Sequence, residues 1–194
     1  MDISHQIKRR LLHVYGGEIV RYEETISASF SKLLVMSSYP RPPSAPIHDC
    51  IRHIFSDSAL ISLMLFPAIK SKFSTQRAKT LREEFKLEEN SLLENRYLRN
   101  HLAHLDERLD KWAIESDQKT FGRGLLGSRE DAARIGLNGE DILGLFDPKT
   151  LVFGFLQDDL RVDDLVSEIR NISQNVRVCL RDLPWQTEED SNVH

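Results

Sequence analysis

A chain of 194 residues, 40% apolar and 29% charged, has the composition of an ordinary globular protein and is long enough to bury a real core. Its net charge of −4 argues against a broadly cationic, nucleic-acid-coating surface, while leaving room for a local basic cleft. Cys50 and Cys179 are far apart and form neither a disulfide framework nor a metal knuckle. No secretory leader is visible, and the longest apolar run (Ala59 to Ile69) is too short to span a bilayer, so the expectation is a soluble cytoplasmic protein without metal or cofactor.

Helical periodicity runs from about Ser4 to Met36, through Ile7, Leu11, Leu12, Val14, Ile19, Tyr22, Ile26, Phe30, Leu33 and Leu34. Gly16-Gly17 interrupts it and predicts a kink or a split. Pro40, Pro42, Pro43 and Pro46 then crowd one short loop, the clearest break in the chain. A second helix is expected from about Ile47 to Phe66, stopped by Pro67, with Ile51, Ile54, Phe55, Leu60, Leu63 and Met64 available for a core. Thr75 is the expected cap of a third, amphipathic segment carrying Ala78, Leu81 and Phe85. A fourth helix spans roughly Ser91 to Ile114.

After Glu115 the texture changes. Six of the nine glycines fall between Gly122 and Gly144, which predicts a long loop with one short helix at most. Ile142–Phe146 and Leu151–Leu156 flank Asp147-Pro148-Lys149-Thr150 and read as a β-hairpin. A last helix comes next, from about Asp164 to Leu183, with Leu165, Ile169, Ile172, Val176 and Leu180 as its stripe and Pro184 as its stop. The fold class is therefore mainly α, a helical bundle with a small C-terminal β-hairpin before the last helix. The expected organisation is one domain over 1–187, with a loop-and-hairpin insertion at about 115–160 and a disordered tail at 188–194.

The chemistry-bearing stretch is Leu98-Arg99-Asn100-His101-Leu102-Ala103-His104 in the fourth helix. At about 100° per residue, Leu98, Leu102, Leu105, Leu109 and Trp112 form one apolar stripe. The opposite arc runs between Arg99 and His104, with Asn100 one turn before His104 and small Ala103 leaving room between them. Arg96 and Arg108 add positive charge, and His101 lies close by. A phosphate would find there a fork-shaped guanidinium donor and an imidazole that titrates near neutral pH. The spacing alone equally describes the solvated face of an amphipathic helix.

The segment resembles the R-x4-6-H motif of the HEPN superfamily, in its Arg-Asn…Ala-His form. The continuation Leu105-Asp106-Glu107-Arg108-Leu109-Asp110-Lys111-Trp112, followed by the Asp147-Pro148 hairpin and a closing helix, is similar to the abortive-infection branch. The likeness covers roughly Ile47 to Leu183 in element order, and only the motif is specific at residue level. It implies a homodimeric helical bundle whose motif helices meet at a shared cleft. In many members that cleft is a metal-independent endoribonuclease with toxin or phage-defence roles. In others it is a non-catalytic module that binds RNA, a nucleotide or a protein partner.

Carried over, Arg99 and His104 are the catalytic candidates and Asn100 orients; Arg96, Arg108 and His101, beside the motif, are the candidates for substrate contact. The implied partners are RNA, a second copy of the chain, and an antitoxin or other regulatory protein. Some toxins of the superfamily carry a Tyr two residues after the His as a target for modification; this chain has Asp106 there.

Other signals are weaker. Gly122-Arg123-Gly124-Leu125-Leu126-Gly127 spells G-x-G-x-x-G, but the preceding Ser116-Asp117-Gln118-Lys119 is no strand, so a flexible loop beside the motif helix is the expectation. His48, Asp49, His53 and Asp57 read as a polar helix face more readily than as a metal site, with Asp49 or Asp57 as a candidate to orient His104. Lys8-Arg9-Arg10 is a minor candidate for RNA contact.

Overall fold

The structure, a computed structural model, describes residues 5–69, 71–94, 105–116 and 120–183. It is mainly helical, as the periodicity anticipates, and the expected hairpin is part of a small four-stranded sheet before the last helix. Six α-helices are described: α1 (His5–Ser37), α2 (Ser44–Leu65), α3 (Lys72–Glu84), α4 (Leu105–Glu115), α5 (Arg129–Arg134) and α6 (Val162–Asp182). The strands are β1 (Leu125–Leu126), β2 (Leu145–Asp147), β3 (Val152–Phe155) and β4 (Asp158–Arg161). No helix among the described residues is long and apolar enough to cross a membrane.

The chain divides into two compact units: residues 1–25, 57–95 and 167–194 in the first, and 26–56 and 96–166 in the second. In the first, α1 runs unbroken through Gly16-Gly17. Of the periodic positions in α1, Leu12 and Ile19 are buried while Ile7 and Val14 are exposed, because the latter sit 140° or more around the helix from Leu12. Gly16 falls on the buried arc, and its lack of a side chain is a packing requirement. A Cβ there would lie 2.9 Å from Val176 Cγ1, 3.3 Å from Leu180 Cδ1 and 3.4 Å from Phe85 Cζ. Gly17 faces open space. One turn beyond Ile19, Glu23 is largely buried; Ser173 Oγ donates to it at 3.4 Å, and Arg177 lies 3.7 Å away. The cap of α3 is Ser71, four residues before the expected Thr75, and Ser71 and Ser74 form a reciprocal capping box.

In the second unit, α2 starts at Ser44, three residues earlier than its apolar pattern suggests, since Pro46 is tolerated in a first helical turn. Ile47, Ile51, Ile54 and Phe55 are buried along one face, following the i, i+4, i+7, i+8 rule. The sheet order is β1-β2-β3-β4, with β1 parallel to β2 and the other pairs antiparallel. The hairpin forms where Asp147 predicts it. Its carboxylate accepts from Lys149 N at 2.9 Å and Thr150 Oγ1 at 2.8 Å, while its carbonyl accepts from Leu151 N at 2.9 Å.

Two strands are additions to the expected hairpin. β4 has the exposed, acidic sequence Asp158-Asp159-Leu160-Arg161, and β1 is only two residues long, so neither carries an alternating apolar signal. The expected glycine-rich loop is thus ordered: Gly122 bridges Ile142, β1 pairs with β2, and Ser128 caps α5 with Asp131. Ala132, Leu137, Ile142 and Leu145, with Leu125 against them, form the small core of this region.

Candidate functional site

Arg96, Arg99, Asn100, His101 and His104 lie outside the described residues, and the side chain of Arg108 is likewise not described. The described part of α4, Leu105–Glu115, follows His104 directly in sequence. Asp106 and Glu107 are exposed on it. Lys111 and Glu115 pair across one turn at 3.7 Å.

The far end of α4 is tied down by one carboxyl group. Asp141 is 2% exposed; its Oδ1 accepts from Trp112 Nε1 at 2.9 Å and from Ser116 Oγ at 3.0 Å. Its Oδ2 accepts from Asn138 N at 3.2 Å. Phe121 meets the Trp112 ring edge-on, with centroids 5.1 Å apart. The Leu–Leu–Trp stripe of the sequence therefore ends in a residue with two jobs: the indole ring packs, and its N–H is satisfied by a buried acceptor. A cavity of about 300 Å³ opens beside it, lined by Lys111, Trp112, Ser116, Glu140 and Gln157.

A second polar cluster surrounds His48 on α2. Its Nε2 donates to the Leu125 carbonyl at 3.0 Å, and its ring stands edge-on to Phe153 at 6.3 Å. Burial lowers the His48 pKa from 6.5; the nearby Arg123 charge adds to this, and the Leu125 contact and Asp49 oppose it. Next to His48, Gly124 has φ +71° and Gly144 φ +147°, backbone states that suit glycine. Both approach the imidazole closely, since a Cβ at either would sit 3.9 Å from a ring carbon. Burial in largely apolar surroundings also raises the Cys50 thiol pKa.

The carboxylates considered for orienting His104 are engaged locally. Asp57 accepts from Thr25 Oγ1, and Asp49 pairs with Arg52 at 2.9 Å. Among the described residues, no group of three or more His, Cys, Asp or Glu is arranged to hold a metal ion, so His48, Asp49, His53 and Asp57 do not converge as ligands. Lys8 pairs with Glu84. The Gly122–Gly127 pattern is a sheet edge, not a phosphate-cradling turn, because β1 falls inside the pattern, not before it.

Sequence reasoning missed Asp141 altogether, because a lone Asp in a glycine-rich stretch carries no periodic signal. It also missed that Arg123 lines the same cleft as His48, since the two are 75 residues apart in sequence. No protein-family model matches the chain, and neither does any curated protein or solved structure.

Proposed function

We propose that this chain is a HEPN-like, metal-independent endoribonuclease of the toxin or phage-defence kind, with Arg99 and His104 as its catalytic pair. The observation that carries the reading is the Arg99-Asn100…His104 spacing, running directly into α4 in a mainly helical chain whose small sheet precedes the last helix. The anchoring of Trp112 and Ser116 by Asp141 supports it further, because a site on the same stretch of chain benefits from a downstream helix held in a single position.

The chemistry needs few parts. The 2′-oxygen of one nucleotide attacks the adjacent phosphorus while His104 takes its proton. Arg99 binds the non-bridging oxygens as negative charge builds on them. The bond from phosphorus to the 5′-oxygen breaks, and that oxygen takes a proton from the second histidine of a homodimer. The products are a 2′,3′-cyclic phosphate and a 5′-hydroxyl. Asn100 holds the imidazole, and Arg96, Arg108 and His101 hold flanking phosphates.

The test is cleavage of total RNA and tRNA by the purified protein in EDTA. The expected result is a 2′,3′-cyclic product, with Arg99→Ala and His104→Ala each lowering the rate by about 10²-fold or more. RNA bound but never cut, with binding weakened by Arg99→Ala, would replace the enzyme with the non-catalytic module. Cleavage that survives both substitutions would remove Arg99 and His104 from the site.

A further inference from the structure

The cleft beside His48 has the makings of a small-molecule site that the ribonuclease reading does not use. It encloses about 320 Å³, at the lower end of the volumes that small ligands occupy. One wall is the first half of α2, carrying His48, Asp49 and Arg52; another is the Arg123-Gly124 segment before β1. The apolar part is aromatic: Phe55 and Phe153 meet edge-to-face at 5.0 Å and 82°, and both are buried, so their rings are already fixed.

The charges are arranged for a guest. Arg123 is exposed and has no carboxylate partner among the described residues. Arg52 reaches Asp49 across one helical turn, in a pair whose members are 62% and 60% exposed and which therefore holds Arg52 weakly. Two guanidinium groups against one carboxylate leave the rim net positive. His48 is fixed by its bond to Leu125, which assigns the proton to Nε2 and leaves Nδ1 as an acceptor. Gly124 and Gly144 keep this corner clear of side chains, at backbone angles that other residues adopt only with strain.

We infer that this cleft binds a small aromatic acid, an aromatic ring bearing one carboxylate or phosphate group. The ring rests on Phe55 and Phe153 and the anion is held between Arg52 and Arg123. Guanidinium forks match both anions, phenyl walls favour a flat apolar ring, and the volume limits the ligand to about one or two rings or a single nucleotide.

The experiment is titration of the full chain with benzoate, phenyl phosphate and uridine monophosphate, followed by NMR line shifts and thermal stabilisation. Acetate and inorganic phosphate serve as anions without a ring, and benzyl alcohol as a ring without charge. At least one ring-bearing anion is expected to bind about tenfold more tightly than every control, and the double variant Arg52→Ala/Arg123→Ala to weaken it about tenfold or more. Both arginines are exposed, so the variant keeps its fold, which its unfolding temperature checks. The ranking of the three ligands separates carboxylate, simple phosphate and nucleotide as the source of the anion. Three results would overturn the proposal: no binding at about 10 mM, equal binding of acetate or phosphate, or binding indifferent to the arginines. Arg99→Ala and His104→Ala should leave this binding unchanged, so it stands or falls apart from RNA cleavage.

Discussion

The two compact units bury their interiors by different means. In the first, the buried helix positions include Leu12, Ile19, Ile61, Leu65, Leu81 and Ile169, and the absence of a side chain at Gly16 makes room for Val176, Leu180 and Phe85. In the second, beside the buried α2 face of Ile47, Ile51, Ile54 and Phe55, short strands and loops are held by directional tethers: Asp141 to Trp112, Ser116 and Asn138, and His48 to Leu125. Arg129 adds another, donating to the Leu156 carbonyl at 2.7 Å and the Asp158 carbonyl at 2.8 Å. Stability spread over many dispersion contacts changes gradually with substitution, whereas stability concentrated in one acceptor is lost with that acceptor.

The contrast is broken most directly at Asp141. Asp141→Ala leaves two side-chain donors and one backbone N–H without their acceptor, and should cost about 3 kcal/mol. That corresponds to a fall in Tm of about 6–12 °C for a chain of this size. A loss under about 0.5 kcal/mol in urea unfolding would mean that the tether carries little.

The seam is tested by neighbouring glycines with opposite expected signs. Gly16→Ala gains helix propensity but drives a methyl group against Val176, Leu180 and Phe85, for a net loss of about 1 kcal/mol. Gly17→Ala meets nothing within 4 Å and should gain about 0.5–1 kcal/mol. Equal signs in thermal denaturation would rule out the packing account of Gly16.

The smallest effect is the pH response of His48. Its folded pKa is depressed, so the unfolded chain takes up the proton first as the solution is acidified. The stability this contributes is complete above pH 6.5 and is lost as pH falls through the folded value. His48→Gln should therefore lower the acid sensitivity of unfolding between about pH 7.5 and pH 5. An unchanged pH slope in the variant would acquit His48.

The same division explains how much of the molecule is legible in its sequence. Helix seams repeat every three or four residues, so Ile51, Ile54, Phe55, Ile169, Ile172 and Val176 announce themselves. The departures there are local: a glycine pair that suggests a break lies within a continuous helix, and Leu60 and Leu63, apolar enough for the core, stand exposed off the buried face of α2. In the second unit the apolar face of α2 and the hairpin are legible, the hairpin because Asp147 organises its own turn. β1 and β4 exist through partners distant in sequence, and a pairing of two residues leaves no pattern to find. Arg99 and His104 are proposed from spacing and residue type alone, and both lie outside the described residues.

The bond between Trp112 and Asp141 also gives the protein an optical probe. The chain has two tryptophans, Trp112 and Trp185, so a Trp185→Phe background excited at the red edge leaves a single emitting tryptophan a short way downstream of His104. With its indole N–H bonded to a buried carboxyl and its ring against Phe121, the emission of Trp112 reports on the seating of α4 itself. For the proposed ribonuclease, stopped-flow mixing with RNA would test whether binding and cleavage are separate steps.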